Sequence, residues 1–203
     1  YPNARRINTK PMPSAGGLAI VIAFSIATLV FIPMLTSTTA PIKSYLSYTL
    51  PVVGAGWIIA LTGLIDDVKE LSAKKKMIGI LLAASLVWFL TDFRLNDFKI
   101  PFGGPLLHFE PWLSYLLTVI WIVAITNAVN LIDGLDGLVS GVSIISLVTM
   151  GIVSYFFLPV PNLFLTMTIF VLVASIAGFF PFNYHPAILY LGDTGALFIG
   201  FMI

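Results

Sequence analysis

The 203-residue sequence contains no cysteine, which excludes disulfides, thiolate-ligated zinc and iron–sulfur clusters. Its two histidines, His108 and His185, are far apart and make no HExxH-type helical pair. Charge is scarce as well. Only 9 % of residues are Asp, Glu, Lys or Arg, against about 25 % in soluble domains, so a soluble globular protein is excluded. The net charge of +1 says little about partners; no nucleic acid is expected. Residues 1–16 are polar and basic without a leading apolar core, so no secretory signal pattern is visible. There is no internal repeat, low-complexity tract or second domain.

What the chain has is hydrophobic length. It is 59 % hydrophobic with a mean hydropathy of +1.03. A helix needs about 20 apolar residues to cross a ~30 Å hydrocarbon core. Six spans meet this at roughly 17–35, 48–65, 77–91, 113–131, 138–158 and 163–182, and a seventh begins near 195. The third is short, with Lys74 to Lys76 placed to snorkel at one end and Thr91 in the headgroups at the other. The expected fold is an all-α polytopic membrane protein forming one domain over 1–203. Because Tyr1 is not a methionine and Ile203 lies in an apolar run, a fragment lacking spans at both ends is expected.

Alternating spans put 1–16, 66–76, 132–137 and 183–194 on one side and 36–47, 92–112 and 159–162 on the other. Arg5, Arg6, Lys10, Lys69, Lys74, Lys75 and Lys76 are on the first side; Lys43, Arg94 and Lys99 are on the second. This bias makes the first side cytoplasmic by the positive-inside rule. Asp66, Asp67, Glu70, Asp133, Asp136 and Asp193 lie there too. On the far side, apolar residues interleave with Arg94, Asn96, Asp97 and Lys99 ahead of Gly103-Gly104, which reads as a small extracytoplasmic β-hairpin near 93–110. His108 belongs to it, solvated or satisfied locally rather than ligating a metal.

Four clusters can carry chemistry. Adjacent carboxylates such as Asp66-Asp67 repel and call for a metal, a proton or a cation nearby; alone, they also serve as a polar helix end. Lys74 to Lys76, taken alone, are a topology signal. In Asn127-Ala-Val-Asn130-Leu-Ile-Asp133-Gly-Leu-Asp136-Gly, the spacing puts Asn127, Asn130 and Asp133 on one helical face. Gly134 is then expected to take positive φ and end the helix, with Asp136 capping the next one. Gly192-Asp193-Thr194-Gly195 opens a helix whose free N–H groups favour an anion; as a lone turn it is a cap. Tyr190 has a ring able to stack on a base, and His185 is a weak candidate. The basic cluster around Lys10, followed by Gly16-Gly17, is by itself a juxtamembrane anchor.

These motifs occur in family order. Pro2-Asn-Ala-Arg-Arg6 through Lys10-Pro-Met-Pro-Ser-Ala-Gly-Gly17, Gly63-Leu-Ile-Asp-Asp67 with Leu71-Ser-Ala-Lys74, Asn127 to Gly137, and Phe182-Asn183 to Gly192-Asp-Thr-Gly195 resemble the polyprenyl-phosphate N-acetylhexosamine-1-phosphate transferases along the whole chain. Such enzymes move a sugar 1-phosphate from a UDP-sugar to a polyprenyl phosphate and release UMP, with Mg²⁺ (or Mn²⁺ in its place). The resemblance implies Asp193 as metal ligand, shared with Asp66, and Asp66 and Asp67 as the pair acting on lipid phosphate or metal. It implies a catalytic cleft and nucleotide pocket built by Asn127, Asn130, Asp133, Asp136 and Asn183, with Lys74 and Tyr190 beside the uracil. Lys10 joins the substrate-binding set.

Asn8, Ser14 and Ile188 stand where many members carry His, Arg and a basic residue, so no phosphate role passes to them. The family's later His-rich loop does not occur within residues 1–203 and is expected beyond them. The wording Asp66-Asp-Val-Lys-Glu-Leu-Ser-Ala-Lys74 resembles the UDP-GlcNAc branch, which starts wall teichoic acid, O-antigen or related polymers. The implied setting is a bacterial plasma membrane, with undecaprenyl phosphate, a UDP-N-acetylhexosamine and membrane lipids as partners and a homodimer as a candidate assembly. The rivals are the phospho-MurNAc-pentapeptide transferase of peptidoglycan synthesis and, from other classes, a membrane transporter or an inactive scaffold.

Overall fold

The computed structural model describes residues 13–36, 42–158 and 162–203. Lys10, Arg5, Arg6 and Asn8 lie outside the described residues. The chain runs through α1 (Gly16–Ile26), a π-helical turn (Ala27–Phe31), α2 (Ile32–Thr36), α3 (Ile42–Lys69) and α4 (Ala73–Leu90). Then come β1 (Asp97–Lys99), β2 (Leu106–His108), α5 (Pro111–Ile132), α6 (Leu138–Phe156), α7 (Leu163–Asn183) and α8 (Gly192–Met202).

Among the described residues, five helices are long and apolar enough to cross a membrane: Gly16–Met34, Tyr45–Lys69, Pro111–Ile132, Leu138–Phe156 and Leu163–Asn183. Of the six complete spans expected above, α4 is the one outside these five: it begins at Ala73, not 77, and so takes Lys74, Lys75 and Lys76 into its first turns. Its 18 residues cover about 27 Å at 1.5 Å per residue. Lys76 reaches Asp66 and Asp193 at one end of α4, and Trp88 Nε1 donates to Ser114 Oγ (3.3 Å) near the start of α5 at the other. α4 therefore runs from the acidic end of the bundle to the end that carries the β-ribbon.

The hub is α8. Thr194 to Gly200 are all buried, and the helix packs on α3, α5 and α1. Phe198 meets Phe24 edge to face at 5.7 Å, among Ile20, Val21, Ile59, Leu197 and Ile199. Large apolar residues on the outer helix faces, Leu82, Ile120 and Ile145 among them, stay exposed, as lipid-facing surfaces do. The α1–α8 approach is close enough to require glycine: a Cβ on Gly17 would fall 2.1 Å from the Gly195 nitrogen. Gly17 N donates to Leu191 O (2.9 Å) and Tyr190 N to Pro13 O (2.9 Å), tying the entry to α1 to the entry to α8.

The α5–α6 connection departs from the expected turn. Asp133 (φ −76°, ψ 57°) is the centre of an inverse γ-turn closed by Gly134 N donating to Ile132 O at 2.8 Å. Positive φ falls on Gly137 (72°), not Gly134, and Gly137 rather than Asp136 is the N-cap of α6. The Asp136 side chain is used elsewhere.

The expected hairpin is present as an antiparallel pair, with Asp97 opposite His108 and Lys99 opposite Leu106. His108 Nδ1 lies 2.5 Å from Asp97 Oδ1.

Candidate active site

Asp66 and Asp67 occupy the last turn of α3 and point to different tasks. The three-residue link 70–72, opened by Glu70 at positive φ (47°), folds α4 back beside α3. Asp66 is buried, 7 % exposed; its Oδ1 accepts the Leu71 N–H (2.6 Å) and its Oδ2 is paired with the Lys76 ammonium. The same ammonium lies 3.3 Å from Asp193 Oδ1. Two carboxylates far apart in the sequence, Asp66 and Asp193, thus converge on one cation.

Asp67 is the cap of α8. Its Oδ1 accepts from Asp193 N (2.9 Å), and its Oδ2 accepts from Thr194 N (3.0 Å) and Thr194 Oγ1 (2.7 Å). This corrects the expectation that the free N–H groups of that helix stabilise the Asp193 carboxylate: Asp67 takes them, across elements. Gly192, at φ 72°, permits the approach, since a Cβ there would stand 2.6 Å from Ser14 O and 2.9 Å from Asp67 Oδ2. With its backbone held this way, Asp193 turns its carboxylate toward Lys76 and Asn130, whose Nδ2 donates to Asp193 Oδ1 at 2.5 Å.

Asp133 stands at the end of α5, outside the membrane-spanning segment. Burial, and then the charges of Asp193 and Asp67, push its carboxyl up to about 7. Electrically, Asp66, Asp67, Asp133 and Asp193 form one acidic group with Lys76 as its resident cation.

The remaining sites divide. Asn127 turns back on its own helix, donating to Val123 O (2.7 Å). Asn183 is structural in geometry: its Oδ1 accepts from Ser140 Oγ (2.9 Å) and its Nδ2 donates to Leu189 O (3.2 Å), pinning α6 and the 184–191 loop to the end of α7. Asp136 accepts from Ala187 N (3.1 Å), and His185 Nδ1 lies 3.0 Å from its Oδ2, so Asp136 clips the α5–α6 turn to the α7–α8 loop. Tyr190 is half-buried with its backbone held by Pro13 and Gly16; Lys74 is exposed. Lys76 and Thr194 are the residues that motif reading missed. Lys76 was hidden among three consecutive lysines, and the signal that singles it out is the shortness of the α3–α4 link.

The acidic pair fits a cationic occupant, because Asp66 and Asp193 already converge on an ammonium. Among the described residues no group of three or more His, Asp or Glu forms a ready metal cage. Mg²⁺ is commonly held by only one or two carboxylates, with water and substrate phosphates completing its shell.

Helices with lipid-facing sides, meeting at one end in an acidic, amide-lined cluster, define a multi-pass membrane protein with a polar site at the edge of its bundle. The chain belongs to glycosyl transferase family 4, whose model matches residues 49–203. It is 40 % identical to the probable undecaprenyl-phosphate N-acetylglucosaminyl 1-phosphate transferase of Bacillus subtilis, over 100 % of this chain and 52 % of that protein. It is 34 % identical to the decaprenyl-phosphate N-acetylglucosaminephosphotransferase of Mycolicibacterium smegmatis, over 100 % of this chain and 51 % of that one. Phospho-N-acetylmuramoyl-pentapeptide-transferase of Staphylococcus saprophyticus is 37 % identical over 93 % of this chain and 59 % of its own length. The chain spans about half the length of the curated relatives it matches.

Proposed function

We propose that the protein transfers N-acetylglucosamine 1-phosphate from UDP-N-acetylglucosamine to undecaprenyl phosphate, releasing UMP and starting a cell-envelope polymer such as wall teichoic acid. The observation that carries this reading is the 40 % identity, over the whole chain, to a relative named for that transfer, together with an acidic cluster assembled at one end of the helices. Residues 1–203 act as a single transmembrane transferase domain. α4 is its sixth span, since it joins the two ends of the bundle; counting it puts the acidic end on the lysine-rich, cytoplasmic side of a bacterial plasma membrane.

In this reading Asp66 and Asp193 hold Mg²⁺, with Asn130 orienting Asp193. The ion, when bound, neutralises the diphosphate and the departing UMP. An oxygen of the lipid phosphate attacks the sugar-linked β-phosphorus; the bond from that phosphorus to the bridging oxygen breaks, and UMP leaves with that oxygen. Asp133, with its carboxyl near 7, is matched to exchange a proton with the lipid phosphate near neutral pH. Asp67 positions Asp193 by capping α8. Asn183 and Asp136 hold the 184–191 loop, which presents Tyr190 to the uracil, and Lys74 supplies positive charge beside it.

The second reading is phospho-MurNAc-pentapeptide transfer, favoured by the 37 % identity to an enzyme of that name. Incubating the full-length protein in lipid with undecaprenyl phosphate and each UDP-sugar in turn, and following UMP release, separates the two. UMP from UDP-N-acetylglucosamine alone is the expected result. Release only from the UDP-MurNAc-pentapeptide would replace the donor, and uptake without phosphotransfer would replace the class.

A further inference from the structure

The β-ribbon takes no part in the acidic site, and its chemistry is unused by the reading above. Its register puts Phe98 opposite Leu107 and Asp97 opposite His108. Cross-strand partners project to the same side, and neighbours along a strand to opposite sides. Phe98 and Leu107 therefore share one face, with Ile100 next along it. Asp97, His108 and Lys99 share the other with Leu106, the partner of Lys99, and the 2.5 Å Asp97–His108 contact is made there. The ribbon is amphipathic, yet its apolar face is left uncovered: Phe98 is 52 % and Leu107 41 % exposed, and Phe102 at the tip is completely so. Phe102 adopts φ 61°, a conformation costly for a bulky side chain, with its ring held outside the protein.

The ribbon's height is fixed by its base. Leu95 N donates to Thr118 Oγ1 (3.0 Å) and Ser114 Oγ to Asn96 Oδ1 (3.0 Å), and the Arg94 guanidinium stacks 4.7 Å from the Trp88 ring. These contacts fasten it to the end of α4 and the start of α5. Exposed apolar residues also stand on the two helix ends that hold the ribbon, Phe89 and Leu90 on α4 and Trp112 and Leu116 on α5. Tryptophan near a span end is the residue of the membrane–water interface.

We propose that the apolar face of the ribbon, with Phe102 leading, lies in the interfacial layer of the bilayer leaflet at this end of the bundle. It is a lipid-contacting surface at the helix ends that hold the ribbon, and the Asp97–His108 pair and Lys99 face water. Amphipathic helices at a membrane surface bury their apolar side about 5–10 Å into the headgroup–acyl boundary, and the same burial is inferred for this ribbon.

The test places a nitroxide at Phe102→Cys or at Lys99→Cys in the full-length protein, reconstituted in phosphatidylcholine–phosphatidylglycerol vesicles. The 203 residues contribute no competing thiol. Collision rates are read with oxygen, which partitions into lipid, and with a polar nickel chelate, which stays in water. The expected result is an oxygen-to-nickel ratio clearly higher at 102 than at 99, because only the apolar face is buried in the headgroup–acyl boundary. Equal ratios at the two positions would mean a ribbon standing free in water and would overturn the proposal. Dipolar broadening at 102 that disappears on dilution with unlabelled protein would overturn it too, because the face would then cover a second copy. Both positions are exposed, so unchanged thermal unfolding of the labelled variants confirms that the ribbon is read in its native place.

Discussion

The ammonium of Lys76, in the opening turns of α4, lies 3.3 Å from the carboxylate of Asp193, 117 residues further along the chain. It also pairs with Asp66, so one side chain occupies the position between the two carboxylates proposed to hold a divalent cation. Lys76→Met should therefore tighten Mn²⁺ binding to the full-length protein about tenfold, or 1.4 kcal/mol, because the ion no longer displaces an ammonium. In chelator the same variant should melt earlier, since Asp66 is left buried without its partner. Calorimetric Mn²⁺ titration and thermal unfolding read the two effects. Weaker Mn²⁺ binding in a folded Lys76→Met protein would show that the lysine assists the ion.

Asp193→Asn should lower turnover by orders of magnitude while leaving the unfolding temperature near that of wild type. A neutral amide is a poor replacement for a hard anionic ligand, and the capping N–H of residue 193 on Asp67 is unaffected by the change. Near-normal turnover and Mg²⁺ dependence in the folded variant would remove Asp193 from the metal site.

Asp67→Ala should instead act on the fold. It strands two backbone N–H groups and the hydroxyl of Thr194, a residue only 1 % exposed. A buried donor left unsatisfied costs about 1–3 kcal/mol, so a clear fall in unfolding temperature is expected together with the loss of turnover. An Asp67→Ala protein as stable as wild type would mean that α8 is seated by its packing alone.

Asp133 gives the pH dependence. Its carboxyl holds a proton up to about 7 in the fold, against 3.8 for the free group, so the folded state binds more protons than the unfolded one between these values. The group's contribution to stability is intact below about pH 4 and declines as pH rises toward 7. Asp133→Asn, melted in chelator from pH 5 to 8, should flatten this decline and be more stable than wild type at pH 8. Parallel curves for the two proteins would assign the pH dependence to another group.

Tyr190→Ala should weaken UDP-sugar and UMP binding by about 5- to 150-fold, the range of a lost base–aromatic stack of 1–3 kcal/mol. The affinity for polyprenyl phosphate, which arrives from the lipid side, should be spared. Equal weakening of both substrates would make Tyr190 a packing residue of the loop that Asn183 holds.

The positions of the helices were legible because apolar length is a local property. The runs at 113–131 and 163–182 reappear as α5 and α7, with no end moved by more than two residues. The ribbon was legible from alternation around Gly103-Gly104. Helix ends were less so. α3 runs on through Asp66 to Lys69, and α4 starts four residues early, because neighbouring elements satisfy polar groups that hydropathy counts as loop. The α5–α6 turn shows the same limit: Gly134 and Gly137 look alike in sequence, and the packing of Gly137 beside Asn183 and Tyr184 goes with positive φ at the second.

The sequence by itself determined a membrane-embedded helical chain with carboxylates and amides gathered at span ends, since burial in lipid forbids charges elsewhere along those runs. Which acid does what was decided only in three dimensions. Asp66 and Asp67 are adjacent and chemically identical, yet one faces Lys76 and Asp193 while the other caps α8. Successive residues on a helix point about 100° apart, so a task is assigned by the helix each one meets, and that meeting joins residues 117 to 127 positions apart.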